Sequence, residues 1–345
     1  MKALFIGGTG TIGAAVSRRF LEEGGELTLL NRGNRNSLFS GRVTEILCDI
    51  NNEEEAAEKL ANLSFDAVVD FITFAPAHVE RDYRLFRDKT AQYIAFSSAS
   101  AYQKPLENYL VNESTPLSNP YWEYSRNKIA CEETLLTLYR EQGFPMTIVR
   151  PSHTYDERSV PVGVHGRNGS WEVIRRMCAG KPVIIHGDGT SLWTVTHTSD
   201  FARGFTGLMG NTRALGEAVQ ITSHETLTWN QIYRSIARAV GAELKAVYVS
   251  SQFLSQVGPY NFQGGLLGDK AHSLVFDNAK LKRLVPDFIA SVRFDSGVRA
   301  AVEHIRARPE LQREDPEFDR WCDRVVAAQA RALEEARNPP SEEET

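Results

Sequence analysis

The sequence predicts an α/β fold: a doubly wound parallel sheet with helices on both faces, followed by a smaller mixed α/β domain. Three observations carry this. Short apolar segments alternate with segments of helical spacing through residues 1–150, the signature of βαβ units around a sheet covered on both faces. The first apolar segment runs straight into a glycine-rich turn, Gly7-Gly8-Thr9-Gly10-Thr11-Ile12-Gly13, and then a helix. The 345 residues, 42% hydrophobic and 24% charged, suffice for a large core without disulfides or structural metals.

The segments 2–6, 26–30, 43–47, 66–70, 92–97 and 146–150 are short, apolar and bounded by turn residues. They read as buried parallel strands. Between most of them, 11–23, 53–62, 78–87 and 122–141 have helical spacing. After Pro151 the rhythm loosens. Residues 159–170, rich in Gly and Pro, read as a loop over a site, 171–179 as a short helix and 186–190 (HGDGT) as a turn. Further helices are expected at 199–209, 228–240, 278–284 and 292–307, with strands near 218–222 and 246–249. From Pro309 the charge density rises, and 317–337 reads as one amphipathic helix. Its Phe318, Trp321, Val325, Val326, Ala328 and Leu333 mostly share a face, expected to pack on its own domain. Residues 338–345 read as a frayed tail.

Lys+Arg total 39 against Asp+Glu 44, a net charge of −5, which argues against a nucleic-acid partner, since phosphate backbones require a basic footprint. Cys48, Cys131, Cys178 and Cys322 form no CxxC pair and have no close histidine spacing. Neither a disulfide framework nor a metal site is expected, and a reducing cytoplasm fits. No apolar run reaches the roughly 18 residues of a membrane span, and residues 1–6 lead into glycines rather than a signal-peptide core.

Glycines 7, 10 and 13 sit between the first strand and the first helix. A phosphate on a helix amino terminus needs open backbone N–H groups, the positive end of the dipole and close backbone approach. Gly7, Thr9, Gly10, Thr11, Ile12 and Gly13 are therefore expected to hold a dinucleotide. The second strand ends Asn31-Arg32-Gly33-Asn34-Arg35, with two arginines and no acid. An acid there would bind the adenosine ribose, whereas arginine accommodates a 2′-phosphate. Arg32 and Arg35 thus favour NADP, with NAD the alternative and a solvated basic turn the plainer reading; Asn31 is counted with them in the cofactor set. Asp49-Ile50, after the third strand, is placed to meet the adenine edge.

Tyr124-Ser125-Arg126-Asn127-Lys128 opens a helix, and four residues put Tyr124 and Lys128 on one face. An ammonium near a phenol lowers a pKa that starts near 10. A tyrosine needs this to exchange a proton with a hydroxyl or ketone. The preceding strand ends Phe96-Ser97-Ser98-Ala99-Ser100-Ala101-Tyr102, supplying a hydroxyl for the same oxygen.

These ordered motifs, with Arg150-Pro151 and Gly187-Asp188-Gly189 ahead of Asp200, resemble the extended short-chain dehydrogenase/reductase superfamily, NAD-dependent epimerase/dehydratase-like, over residues 1 to about 305. The resemblance implies a Rossmann dinucleotide-binding domain over 1–155 with a return segment near 193–224. A substrate domain over 156–308 and a helical extension and tail over 309–345 complete the chain. By the same resemblance Ser98 is the catalytic hydroxyl, Tyr124 the acid/base, and Lys128 both holds the nicotinamide ribose and tunes Tyr124. Phe71 and Pro151, at strand ends, join the cofactor set. His153 falls where the family has an asparagine facing substrate, and Ser100 and Trp193 are counted with it on the substrate side. A histidine hydrogen-bonded at a strand end is the other reading of His153.

Departures from the pattern narrow the substrate. Ala99 and Ser100 replace the Asp-Glu pair of the 4,6-dehydratases. Trp193, and Leu266-Leu267 before Gly268-Asp269, occupy positions where relatives carry arginines for a nucleotide diphosphate. The expectation is an NAD(P)-dependent oxidoreductase acting at a carbinol or ketone of a polar, sugar- or polyol-like small molecule without a nucleotide diphosphate. The alternatives are an NAD(P)-dependent (nucleotide-)sugar epimerase and, in another class, a redox-silent dinucleotide sensor or RNA-binding protein. A homodimer through the helices before and within YxxxK is admitted by analogy.

Overall fold

The computed structural model describes residues 1–33, 36–39 and 41–338; Arg35 and the expected tail beyond Asn338 lie outside them. The chain divides into two compact units. The first comprises residues 1–156, 194–226 and 274–292, and the second 157–193, 227–273 and the chain from Arg293 on.

The first unit is built on the expected parallel sheet. Its seven strands lie in the order Thr44–Leu47, Glu26–Asn31, Lys2–Ile6, Ala67–Asp70, Tyr93–Phe96, Met146–Pro151, Ala218–Ile221, each pair parallel. Successive side chains of a strand point to opposite faces, and the first strand shows why it is apolar throughout. Ala3 and Phe5 join Val16, Phe20 and Phe205 in one core, while Leu4 and Ile6 join Val79, Phe86 and Leu135 in another. Helices Thr11–Glu22 and Thr198–Thr206 therefore cover one face, and Glu53–Lys59, Pro76–Phe86 and Glu123–Gln142 the other. Full burial of each Val, Leu, Ile or Phe side chain among these is worth about 1.5–3 kcal/mol.

From Lys2–Ile6 the chain winds outward one way through Glu26–Asn31 and the other way through Ala67–Asp70. That reversal opens a crevice at the carboxyl ends of the strands, where open α/β sheets bind ligands. Two short strand pairs, two and three residues long, escape the sequence reading because so few residues show no period. Leu110–Val111 pairs with Val275–Phe276, and His153–Tyr155 with Val195–His197. With that first pairing, and with Leu281 and Phe288 buried in its core, 274–292 belongs to the first unit, although the sequence boundaries placed it in 156–308.

In the second unit, helices Trp171–Cys178, Trp229–Val240, Phe294–Arg306 and Pro316–Arg337 accompany the parallel strands Val183–His186 and Ala246–Val249. A π-helical segment, Gln263–Lys270, carries no signature in the sequence. The last helix buries Phe318, Trp321, Cys322 and Val325. It is also held by Arg176, 1% exposed, which pairs with Asp319 and with Asp323 at 2.8 Å.

Candidate active site

The glycine loop and the crevice form one wall. Gly7 has φ +78, a left-handed conformation that glycine adopts without a Cβ penalty. A Cβ on Gly13 would lie 2.9 Å from the Gly8 backbone, so the helix start sits directly on the strand end. Ser17 Oγ donates to Gly8 O at 2.9 Å and ties the two together. Helix Thr11–Glu22 has Gly10 as its N-cap and no side-chain cap. The positive end of its dipole therefore favours an anion at this end of the helix. Ile12 packs against the core beneath.

A cavity of about 450 Å³ opens beside this loop. Gly7, Thr9 and Gly10 meet Asn31 and Arg32 from the second strand, and Asp49 and Ile50 from the third. Asn31 Oδ1 accepts from Gly33 N at 2.7 Å, but its buried Nδ2 finds no partner among the described residues. An unmet buried donor costs about 1–3 kcal/mol, and an acceptor on a ligand relieves it. Arg32 is exposed at the rim. The ring of Phe71 is spent in the aromatic core, 4.6 Å from Phe96 and 5.5 Å from Phe5 between centroids. Ile72, Phe74, His78, Asn51 and Arg81 also line the cavity, and sequence reasoning named none of them. For Arg81 one signal existed: Arg81-Asp82 lies on the apolar stripe of Val79, Leu85 and Phe86, where a charged pair is out of place unless it is partnered.

The Ser98, Tyr124 and Lys128 elements come together on the same unit. Lys128 is 1% exposed. Its Nζ donates to the Thr73 carbonyl and, at 2.7 Å, to Phe96 O. It also lies 5.7 Å from the Tyr124 ring centroid and 4.7 Å from that of Phe74. Burial pulls the ammonium down to about 8. The half-buried Tyr124 packs on Trp122 at 5.0 Å. Ser125 Oγ donates to Ser100 Oγ at 2.8 Å, and Ser100 Oγ is 2.9 Å from Ser98 Oγ. The Ser100 backbone N–H also donates to Ser98 Oγ, at 3.1 Å. Either hydroxyl of the Ser98–Ser100 pair can donate; when Ser100 does, the Ser98 hydrogen is left for a ligand. Ser100 is 3% exposed. The sequence reading gave its side chain to substrate; the structure buries it between two other serines.

A buried ion pair braces this corner. Arg150 Nε and Nη2 reach Glu132 at 2.9 and 2.6 Å, and the guanidinium lies 5.0 Å over the Tyr102 ring. Pro151 closes its sheet strand opposite Ile221, and half-buried His153 pairs with Val195. Trp193 belongs to the second unit, 4% exposed and stacked on Trp229 at 5.6 Å. Its face is taken by Trp229, so it is core rather than the open platform expected for a substrate. Leu266 is fully buried in the π-helical segment. Among the described residues, no helix is long and apolar enough to cross a membrane.

Comparisons with known proteins follow the same lines. Residues 3–222 match the model of the NAD dependent epimerase/dehydratase family. The chain is 24% identical to the 2′-dehydrokanamycin reductase of Streptomyces kanamyceticus, over 84% of this chain and 80% of that protein. It is 26% identical to the 41 kDa chloroplast stem-loop binding protein b of Arabidopsis thaliana, over 70% of this chain and 63% of that one. In fold it is similar to UDP-glucuronic acid 4-epimerase from Bacillus cereus, solved with UDP-glucuronic acid and NAD. That likeness has a TM-score of 0.71 and 19% identity, covering 89% of this chain and 99% of the other.

Proposed function

The chain belongs to the NAD dependent epimerase/dehydratase family, whose members are NAD-dependent epimerases, dehydratases and reductases, and on that premise we propose that it is an NADP-dependent oxidoreductase. Its substrate in this reading is a polar, sugar- or polyol-like carbinol or ketone that carries no nucleotide diphosphate. The supporting observation is the tie between the strand end and the YxxxK helix. Ser100 and Ser125 bond at 2.8 Å, and Lys128 Nζ bonds the Phe96 carbonyl at 2.7 Å. These bonds tie the strand end that carries Ser98 to the helix that carries Tyr124 and Lys128, which supports reading the three as one constellation.

The residues present suit a dinucleotide: an uncapped helix start, a strand–helix approach too close for a Cβ at Gly13, and an orphan donor at Asn31. When bound, the nicotinamide supplies or accepts the hydride. The chain's own part is proton handling and orientation. Ser98 donates its hydrogen to the carbonyl oxygen, and Tyr124 passes or takes the proton. Lys128, while charged, favours the phenolate. Arg32 offers the adenosine 2′-phosphate a charge-assisted bond, which is the reason for preferring NADP to NAD.

The substrate limit rests on Trp193 and Leu266, both buried and apolar. A diphosphate held there without cations is an uncompensated charge costing several kcal/mol, by the rule for buried ions. Arg175 is no substitute, being paired to Glu172 at 2.7 Å. Epimerisation requires one ketone to turn over without release, and these positions give a nucleotide tail no hold. The net charge of −5 provides no basic footprint for RNA.

Tyr124→Phe tests the reading: turnover falls about 10²-fold or more while NADP affinity hardly moves. A variant keeping over half the wild-type rate removes Tyr124 from the chemistry. Calorimetry of the NADP-loaded protein with UDP-glucose and dTDP-glucose tests the substrate limit. Binding of about millimolar or weaker is expected, and a micromolar constant restores the sugar-nucleotide epimerase.

A further inference from the structure

We infer that Asn51 and Arg81 are positioning residues that set the cofactor's base specificity, by holding one oxygen of Asp49 and leaving the other for the adenine amine. The inference rests on the dinucleotide reading above and extends it to two residues that no sequence motif marks.

Directionality comes from the arginine. A guanidinium only donates, so the Asn51 atom 2.8 Å from Arg81 Nη1 is the amide oxygen. The Asn51 amide nitrogen is thereby turned to the other side, where it donates to Asp49 Oδ1 at 3.0 Å. The Asn51 backbone N–H donates to the same oxygen, also at 3.0 Å. Asp49 Oδ1 thus holds two N–H donors, while Oδ2 accepts none among the described residues. Asp49, Asn51 and Arg81 all line the cavity. A carboxylate oxygen is purely an acceptor, and the exocyclic amine is adenine's donor along that edge.

Arg81 is itself immobilised. It is 5% exposed, and Asp70 and Asp82 are both fully buried. Its Nε reaches Asp82 Oδ1 at 2.8 Å and its Nη2 reaches Asp70 Oδ2 at 3.3 Å. Ile72 N donates to Asp70 at 2.6 Å, and the Tyr93 hydroxyl to Asp82 at 2.6 Å. The column therefore runs from the sheet through a fixed guanidinium and an oriented amide to the carboxylate at the cavity wall. A half-exposed aspartate on a turn would otherwise wander among rotamers, and order established before binding is entropy not lost on binding.

Replacing Arg81 would strand two buried acids, so the test is made at the exposed Asn51. NADP is titrated against 1,N6-etheno-NADP, whose blocked amine has no N–H to give. The wild type should prefer NADP by about tenfold, a charged hydrogen bond's worth. Asn51→Ala and Asn51→Asp should weaken NADP about fivefold and bring the preference below about threefold, with the thermal midpoint unmoved. Asn51→Asp still accepts from Arg81 but cannot donate to Asp49, so it separates the relay from simple truncation. A wild-type preference of one, or a preference unchanged in Asn51→Ala, overturns the relay and leaves the cofactor reading standing. A wild type that binds neither NADP nor NAD overturns both.

Discussion

At the scale of single residues, Arg32 carries the sharpest expectation. It is an exposed cation at the cavity rim, and a charge-assisted bond to a 2′-phosphate is worth about 1.5–3 kcal/mol before screening. Arg32→Ala should weaken NADP about tenfold and leave NAD unchanged, and raising the salt should shrink the wild-type preference. Fluorescence titration of both cofactors at two ionic strengths measures this. Equal affinities in the wild type would place Arg32 in solvent. Gly7 and Gly13 were legible because their geometry suits only glycine, a left-handed φ at Gly7 and a contact too close for a Cβ at Gly13, so residue type reports position. Ser100 and Trp193 were not, because a serine or an indole is equally at home facing a ligand or filling a core. Their partners Ser125 and Trp229 lie 25 and 36 positions away along the sequence, where no spacing rule reaches.

The helix Glu123–Gln142 carries much of the proposed chemistry on one element. It presents Tyr124, Ser125, Lys128 and Glu132 within ten residues, and its face was legible from the i, i+4 step. The degree of burial was not. Lys128 loses its proton near pH 8 because burial disfavours the charged form, against an ordinary value of 10.5. Activity that needs the ammonium should therefore decline as pH rises through about 8, and kcat/KM profiles should show that limb in the wild type. Stability should move the opposite way. Between pH 8 and 10.5 the unfolded chain binds more protons than the folded one, so Lys128 makes unfolding free energy rise with pH over that window. Urea denaturation of wild type and Lys128→Met at pH 7.5 and pH 10 checks it: the Met variant should lack that rise. Glu132→Gln is expected to cost about 3–5 kcal/mol, since it leaves Arg150 buried without its counter-charge. A loss under 1 kcal/mol in the same denaturation would show that Arg150 finds another acceptor.

For the whole molecule, the parallel sheet was readable because strands buried on both faces are apolar without interruption, as in Ala3, Leu4, Phe5 and Ile6. The assignment of segments to units was less so. Residues 274–292 belong to the first unit through the strand pair Leu110–Val111 with Val275–Phe276, too short for any periodicity, and through Leu281 and Phe288, buried in its core. The last helix was legible from its apolar stripe, but only its first half packs: Leu333, expected on the stripe, is exposed, and docking within the second unit is carried by Trp321, 2% exposed among Phe318, Phe262 and Tyr260. Trp321→Ala should destabilise by about 3–5 kcal/mol. Thermal unfolding should report this, with NADP affinity unmoved well below the midpoint because every cavity-lining side chain belongs to the first unit.

The segmental build of the sheet also has a consequence in time. A chain emerging from the ribosome has six of the seven strands once Pro151 is out, but the seventh, Ala218–Ile221, follows only after residues 157–193, which fold elsewhere. Through that interval Met146–Pro151 is an open edge, its ladder groups ready to pair with a neighbouring nascent chain. Translation speed between codons 151 and 221 thus sets how long the growing polypeptide stays vulnerable to aggregation, and a pause placed there should raise its demand for chaperones.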